Sequence, residues 1–412
     1  MSFHRKRNPF RRFALSILGF GFAVFATFIA INTWVNPLWV SPAPWTDDSF
    51  TEYREIYRQQ RTGKAGIAAS QPWGAAFFGS SRIDFALDPE NPNWGDTKAA
   101  NLAVSAGTLP ETAPILSYAL DHAPLKTAIV GIDIGDLMWP NSPYRTTGFL
   151  ESPFNPKGDR FEQILRYYAG ISSFEIAVKT ITSRNEGRLP EYTTHGHRLR
   201  IKEPVNVHKV IARDSISHAL RTNRRRKAKP PGEPHPFKLE LLQQMLDDAK
   251  QHHCRLVLVI PPSHAAYISV YHYQDDPDPT FSKDRGVLTR MVAKSNAEHP
   301  DEPAAEIWDF NDFHPLNAEP IPEDGSSMNF WIDGTHARKT MGDIMLARIM
   351  GWPIEGPGAD YGFLLTADKL DARIDGLKEG YQDFKSTRPE LWQWMAEKVA
   401  TYQDADSPAP KK

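Results

Sequence analysis

Residues 13–35, from Phe13 to Val35, contain no charged side chain, and this stretch restricts the architecture more than any other. A helix needs about 20 consecutive apolar residues to cross the hydrocarbon of a bilayer, so the segment predicts one membrane-spanning helix. Arg5, Lys6, Arg7, Arg11 and Arg12 precede it. The positive-inside rule then puts residues 1–12 in the cytoplasm and everything after residue 35 outside. Trp34 and Trp39 suit an interfacial aromatic belt. The rival is a cleaved signal peptide, but the run is long for one and no small-x-small cleavage site comes after it. In a cell with two membranes, the expectation is a single-pass protein of the inner membrane with a periplasmic bulk.

The chain beyond the span has the composition of a folded domain. Of 412 residues, 41% are hydrophobic and 11% aromatic, enough for a sizeable core. The net charge of −2 gives no basic excess, so nucleic acid is not an expected partner. Cys254 is the one cysteine; it can form no internal disulfide and reads as core filler. No histidine spacing offers matching second ligands, so neither a metal nor another cofactor is expected.

After a connector over 36–72, with a short helix expected around Phe50 to Gln60, the apolar run Ala75–Phe78 reads as a buried strand. It ends in Gly79-Ser80-Ser81-Arg82. A strand that stops there presents a hydroxyl at the carboxyl edge of a sheet, where open α/β folds keep their sites; the plain alternative is an ordinary Gly-Ser turn. Asn101–Val104 reads as a second strand. The helix after it runs to about His122, capped by Thr108 or by Thr112, with Pro114 favouring the later start. Gly107, in the intervening loop, has an N–H able to meet a ligand, or is a glycine chosen for its backbone angles. Ala128–Ile134 has the near-continuous apolar character of a central parallel strand and ends at Gly135-Asp136.

From about 137 to 236 the strand-helix alternation breaks. Ser172–Ile181 and Val207–Leu220 look helical among loops containing Tyr144, Pro153, Pro156 and Gly158, and the insertion is expected to form a cap or side region. The basic residues Arg221, Arg224, Arg225, Arg226, Lys227 and Lys229 read as a solvated linker, or as a contact for anionic polymer or lipid headgroups. Phe237–Lys250 is an amphipathic helix feeding the strand Leu256–Ile260, which ends in Pro261-Pro262-Ser263-His264. His264 could line a pocket there. Glu306–Phe310 reads as a last short strand. Residues 361–402 hold further helical segments, and the last ten residues look disordered.

A second stretch gives the serine its meaning. In Trp331-Ile332-Asp333-Gly334-Thr335-His336 an acid and a histidine lie three residues apart. The carboxylate can hold one imidazole nitrogen and leave the other free to take a proton from a serine. The plain alternative is a surface loop before the next helix, which runs to about Met350.

Taken together, these blocks resemble the SGNH (GDSL-like) hydrolase superfamily, and within it the membrane-anchored SGNH-like proteins that accompany membrane-bound O-acyltransferases, relatives of the alginate O-acetylation proteins. The matching stretches are Phe78–Arg82, Asn101–Gly107, Ile129–Asp136, Val257–His264 and Trp331–Leu346. The resemblance implies a three-layer α/β/α fold over 73–356 with a mostly parallel five-stranded sheet. A C-terminal helical extension over 357–412 is read from the residues themselves. The resemblance implies Ser81 as nucleophile, His336 as base, Asp333 as its orienting acid, and the N–H groups of Ser81 and Gly107 as oxyanion donors. Ser80 stands where the superfamily usually has aspartate. Asp136 falls where it usually has a donating asparagine, which an ionised carboxylate cannot replace. Arg82 and His264 complete the possible pocket, although an internal salt bridge is the simpler role for Arg82. The implied activity is O-acetylation of an envelope polysaccharide, with the acyl group delivered by a membrane-bound O-acyltransferase. A carbohydrate esterase and a non-catalytic envelope assembly or glycan-binding protein are the alternatives.

Overall fold

Short apolar runs separated by amphipathic helices produce a mixed α/β fold. The computed structural model describes residues 9–138, 145–199, 203–230, 232–354 and 356–405. Arg5, Lys6, Arg7, Tyr144 and the tail after Ala405 lie outside the described residues. The chain forms two units, one taking residues up to Ser70 with Thr146–Thr194, the other Gln71–Arg145 with His195 onward. The stretch 137–236 is thus not one side region but is divided between them.

In the larger unit, the strands are β1 (Ala75–Phe78), β2 (Ala99–Asn101), β3 (Thr127–Gly131), β4 (Arg255–Ile260), β5 (Glu306–Asp309) and β6 (Phe363–Leu364). Their order is β2-β1-β3-β4-β5-β6. The first five pair in parallel, with Ala75 opposite both Ala99 and Thr127, Ala128 opposite Leu256, and Leu258 opposite Ile307. The sixth strand, absent from the sequence-based expectation of five, is antiparallel and pairs Leu364 with Trp308. Two residues are too few to show an alternation, so only the neighbouring edge of β5 defines it. Chain order reverses between β1 and β3, and such a reversal opens a crevice at the carboxyl ends of the strands.

Both sheet faces are buried. Ala75, Phe77, Ile129, Val257 and Val259 join one core cluster with Ile83, Val270, Met341, Met345 and Leu346. Their strand neighbours Ala76, Phe78, Val130, Leu256 and Leu258 point the other way and are equally buried. The C-terminal helices Leu370–Thr387 and Pro389–Ala405 belong to this unit, and Met395 and Val399 enter its core. Cys254 is buried, with its thiol pushed up to about 12 by burial.

Three local expectations change. The helix after β2 starts at Leu109, not near Thr112, and Pro114 lies inside it. A proline there removes the bond to the carbonyl four residues back, and Arg145 Nε donates to that Pro110 carbonyl at 3.0 Å. The short helix expected around Phe50 to Gln60 is two 3-10 turns, Asp48–Tyr53 and Tyr57–Gln59, before a helix over Gln60–Ser70. The basic run is no linker: it lies largely in helix Ser217–Ala228, and Arg226 is buried against Asp276 at 2.8 Å.

The end of β5 carries a buried ion cluster. Asp309 receives Arg285 Nε and Arg373 Nε, each at 2.8 Å, and the carboxylate is fully buried. Burial alone would raise its pKa, but the two guanidiniums hold it well below the usual carboxylate range. Asp309→Asn is expected to cost about 3–5 kcal/mol in urea denaturation at neutral pH, because buried Arg285 loses its carboxylate partner and Arg373 is left with Asp312 alone. With its folded pKa depressed, the stabilisation is present above the ordinary value of 3.8 and is lost as pH falls below it. The gap between wild type and Asp309→Asn should therefore narrow in acid.

Candidate functional site

Gly79 makes the serine turn possible. Its φ of 133° suits glycine, and a Cβ there would lie 3.0 Å from the Gly131 carbonyl of β3. The chain then enters the short helix Ser81–Ala86, capped by Ser80, whose Oγ accepts the Arg82 N–H at 3.3 Å. Ser80 is thus a capping residue, and Ser81 takes the first helical position, where an N–H has no intrahelical acceptor. Asn101 of β2 ties this helix to the sheet through its Nδ2, which donates to the Ile83 and Leu87 carbonyls.

The Asp-x-x-His block is the tip of a small antiparallel hairpin. Trp331 pairs with Ala337, and the Ile332 N–H donates to the His336 carbonyl at 2.9 Å. Asp333 Oδ1 closes the turn by accepting the N–H groups of Thr335 and His336 at 2.7 and 2.9 Å. Its other oxygen, Oδ2, lies 2.7 Å from His336 Nδ1. Burial pushes the Asp333 carboxyl up, but the hydrogen bond and charge of His336, with the two backbone donors, bring it down to about 2. An ionised carboxylate only accepts, so Nδ1 carries the proton and Nε2 has its lone pair free. That lone pair meets the Ser81 hydroxyl at 2.8 Å across 255 residues of chain. Ser81, His336 and Asp333 are therefore brought together in one line.

Helix Lys339–Met350, just after the hairpin, packs against helix Ser81–Ala86, and Gly342 permits the approach to Ala86. Phe85, one turn beyond Ser81, sets its ring 4.9 Å from that of His336, and the Arg198 guanidinium lies over the Phe85 ring at 4.5 Å.

Ser215 is a site residue that sequence reasoning missed. The predicted helix from Val207 contains a π-helical turn over Ile211–Ile216, a rare form that occurs frequently at functional sites. Ser215 Oγ accepts the Gly334 N–H at 3.0 Å, at the tip between Asp333 and His336. A Cβ on Gly334 would come within 2.5 Å of Ser215. Gly334→Ala should therefore displace the hairpin and lower turnover about 100-fold, as misplacement of about 1 Å can, with Ser215→Gly restoring part of it. Steady-state kinetics on an activated ester would read both. No sequence signal marks Ser215, one serine among the mixed polar and apolar residues of a helix that sends Val207, Ile211, Ile216 and Leu220 into the core.

The remaining expected site residues have structural partners. The Gly107 N–H is not open to a ligand: it donates to the Val104 carbonyl at 2.9 Å. A Cβ there would sit 2.6 Å from the Gly79 carbonyl, so close packing against the serine turn explains the glycine. Arg82 pairs with Asp133 at 3.1 Å and donates to the Pro261 and Pro262 carbonyls and to Ser263 Oγ, fastening the ends of β1, β3 and β4 together. Asp133, read from sequence as part of the strand, lies beyond the end of β3 at Gly131. Asp136 instead pairs with Lys238 at 3.0 Å. His264 is fully buried; it caps the next helix through Nδ1, meets the Glu319 carbonyl through Nε2, and is pushed down to about 4 by burial. Its backbone N–H donates to the Gly334 carbonyl at 3.0 Å, so it supports the hairpin from below.

No protein-family model matches this chain, and a search of curated proteins finds no match. The candidate site thus stands on its own geometry.

Proposed function

We propose that this chain is a membrane-anchored, extracytoplasmic O-acyltransferase with an SGNH-type three-layer fold, acting through an acyl-serine. The observation that carries this reading is the Ser81–His336–Asp333 line at 2.8 and 2.7 Å. His336 Nε2 takes the Ser81 proton as Oγ attacks the acyl carbonyl. The bond from that carbon to the donor's oxygen breaks, and the leaving oxygen receives the proton from His336. In the second half an acceptor hydroxyl gives its proton to His336, bonds to the acyl carbon and expels Ser81 Oγ, which is reprotonated. Asp333 keeps the imidazole in the required tautomer and stabilises its cation. The Ser81 N–H is the available oxyanion donor.

The acyl group is acetyl, the donor a membrane-bound O-acyltransferase and the acceptor an envelope polysaccharide, all on the strength of the sequence resemblance. Ser81 is half-buried rather than sealed, which favours a second reading: water can take the acyl group, making the protein an esterase. The test exposes the detergent-solubilised full chain to an activated acetyl ester and locates adducts by peptide mass spectrometry. An acetyl adduct that disappears in Ser81→Ala and persists in Ser80→Ala is expected. Transfer of the label to added oligosaccharide rather than to water separates transferase from esterase. A folded protein without an adduct on either serine sinks both and leaves a binding role.

A further inference from the structure

The smaller unit has an apolar surface outside its core. Its helix Pro9–Val35 is apolar and long enough to span a bilayer, with its apolar window wholly unburied. Helices Arg160–Ala169 and Ile171–Asn185 pack beside it. The contact lies at the helix's C-terminal end: Phe28 stacks on Phe174 at 4.6 Å, and Asn32 Nδ2 donates to the Tyr168 and Gly170 carbonyls at 3.1 and 3.3 Å. Trp45, itself largely exposed, donates from Nε1 to Thr33 Oγ1 at 2.9 Å, and Tyr168 reaches the Pro42 carbonyl. The end of the span, the loop after it and helix Arg160–Ala169 therefore form one platform.

That platform has an uncovered apolar face. Phe161, Ile164, Leu165 and Ile171 are 75, 56, 46 and 64% exposed. Phe161, Ile164 and Leu165 have i, i+3, i+4 spacing and so share one side of their helix, whereas Tyr167 of the same helix is buried. Arg160 and Glu162 are exposed at other angles, and Glu162 pairs with Arg166 at 2.9 Å. A short helix with large apolar residues on one side and charges on the other is the pattern of a segment lying in a membrane interface. Leaving Phe161, Ile164 and Leu165 side by side in water, with Ile171 also exposed, is unfavourable, because apolar surface gains free energy on leaving water.

We propose that helix Arg160–Ala169 and the start of the next helix form an interfacial membrane element, seated in the lipid beside the C-terminal end of the span. The occupant of the apolar face is lipid acyl chain and headgroup boundary, because the helix packs directly on the apolar helix Pro9–Val35, is joined to its last turn through Asn32, and neighbours the exposed Trp34 and Trp45 at that end of the span, side chains suited to a headgroup boundary. The chain then meets the membrane by a span and a flanking wedge, and the wedge restrains the swivel and tilt that a single span leaves free. This inference rests on reading Pro9–Val35 as a membrane span and is independent of the acyl-transfer chemistry.

The test uses single-cysteine spin labelling of the full chain in phosphatidylethanolamine/phosphatidylglycerol vesicles. Buried Cys254 leaves an introduced cysteine as the accessible thiol. Labels at Ile164→Cys and Leu165→Cys should show an oxygen-to-nickel-chelate accessibility ratio several-fold above that at Glu162→Cys and approaching that at Leu18→Cys in the span. Nickel accessibility at Ile164 and Leu165 equal to that at Glu162, with Leu18 still in lipid, overturns the proposal and keeps the span. Labels at 164 and 165 closed to both reagents identify a covering protein surface and also overturn it. A water-accessible Leu18 removes the span and the proposal together. Circular dichroism of each variant checks that the helices are retained.

Discussion

Ser81→Ala is expected to lower acyl turnover by about 10⁴- to 10⁶-fold, and His336→Ala by a similar factor, with the double variant no worse than either single one. The reason is geometric. Ser81 Oγ and His336 Nε2 share one proton at 2.8 Å, so removing either group removes the same activated nucleophile. Effects that multiplied in the double variant would assign the two residues to separate steps and break the proposed relay. So would a Ser81→Ala protein that retained turnover within tenfold of wild type. Ser81 lies half-buried at the start of a helix capped by Ser80, and a residue placed there tolerates alanine with about 1 kcal/mol or less of stability change. Turnover and urea denaturation measured on the same preparations distinguish lost chemistry from lost fold.

Asp333→Asn should cost turnover of the order of 10⁴-fold while preserving most of the hairpin. The amide oxygen can still accept the N–H groups of Thr335 and His336, as Oδ1 does at 2.7 and 2.9 Å. The amide nitrogen, facing His336 Nδ1, donates where the carboxylate accepted, so the imidazole proton moves to Nε2 and its lone pair is no longer available to Ser81. The same carboxylate makes a pH-dependent contribution to stability. Its folded pKa is lowered from 3.8 to about 2, so the stabilisation is fully present above pH 3.8 and is lost as pH falls through about 2. The depression corresponds to about 2 kcal/mol. Urea denaturation across that window should show wild type converging on Asp333→Asn in acid, and a constant separation would contradict the assigned ion pair. An Asn variant with near wild-type turnover would show that His336 does not need the carboxylate to choose its tautomer.

The site departs from its expected form in ways that matter for rate. With Gly107 bonded to Val104 and Asp136 to Lys238, the Ser81 N–H is the expected oxyanion donor that keeps no helical acceptor. Loss of one such donor typically costs roughly 100- to 1000-fold. A slow reaction on simple esters, with faster transfer when the donor is delivered directly, is consistent with that arrangement.

By itself, the sequence determined those features that depend on neighbours along the chain. The uncharged stretch ending at Val35, the buried runs of β1, β3, β4 and β5, the glycine before the serine and the three-residue spacing of Asp333 and His336 were legible because hydrophobic period and turn chemistry act over a few residues. That Arg82 would pair within the fold was legible too, from the ordinary tendency of a guanidinium to find a carboxylate. The tertiary structure alone decided which partner each polar group found. Ser215 reached Gly334 across 119 residues, Arg82 reached Asp133, and Gly107 turned its N–H inward. The two-residue strand β6, the burial of Arg226 and the division of 137–236 likewise arose only on packing. The physical reason is that apolar burial is set by local pattern and is non-directional, whereas a hydrogen bond or ion pair needs a particular atom at about 3 Å, which distant elements supply once they have packed.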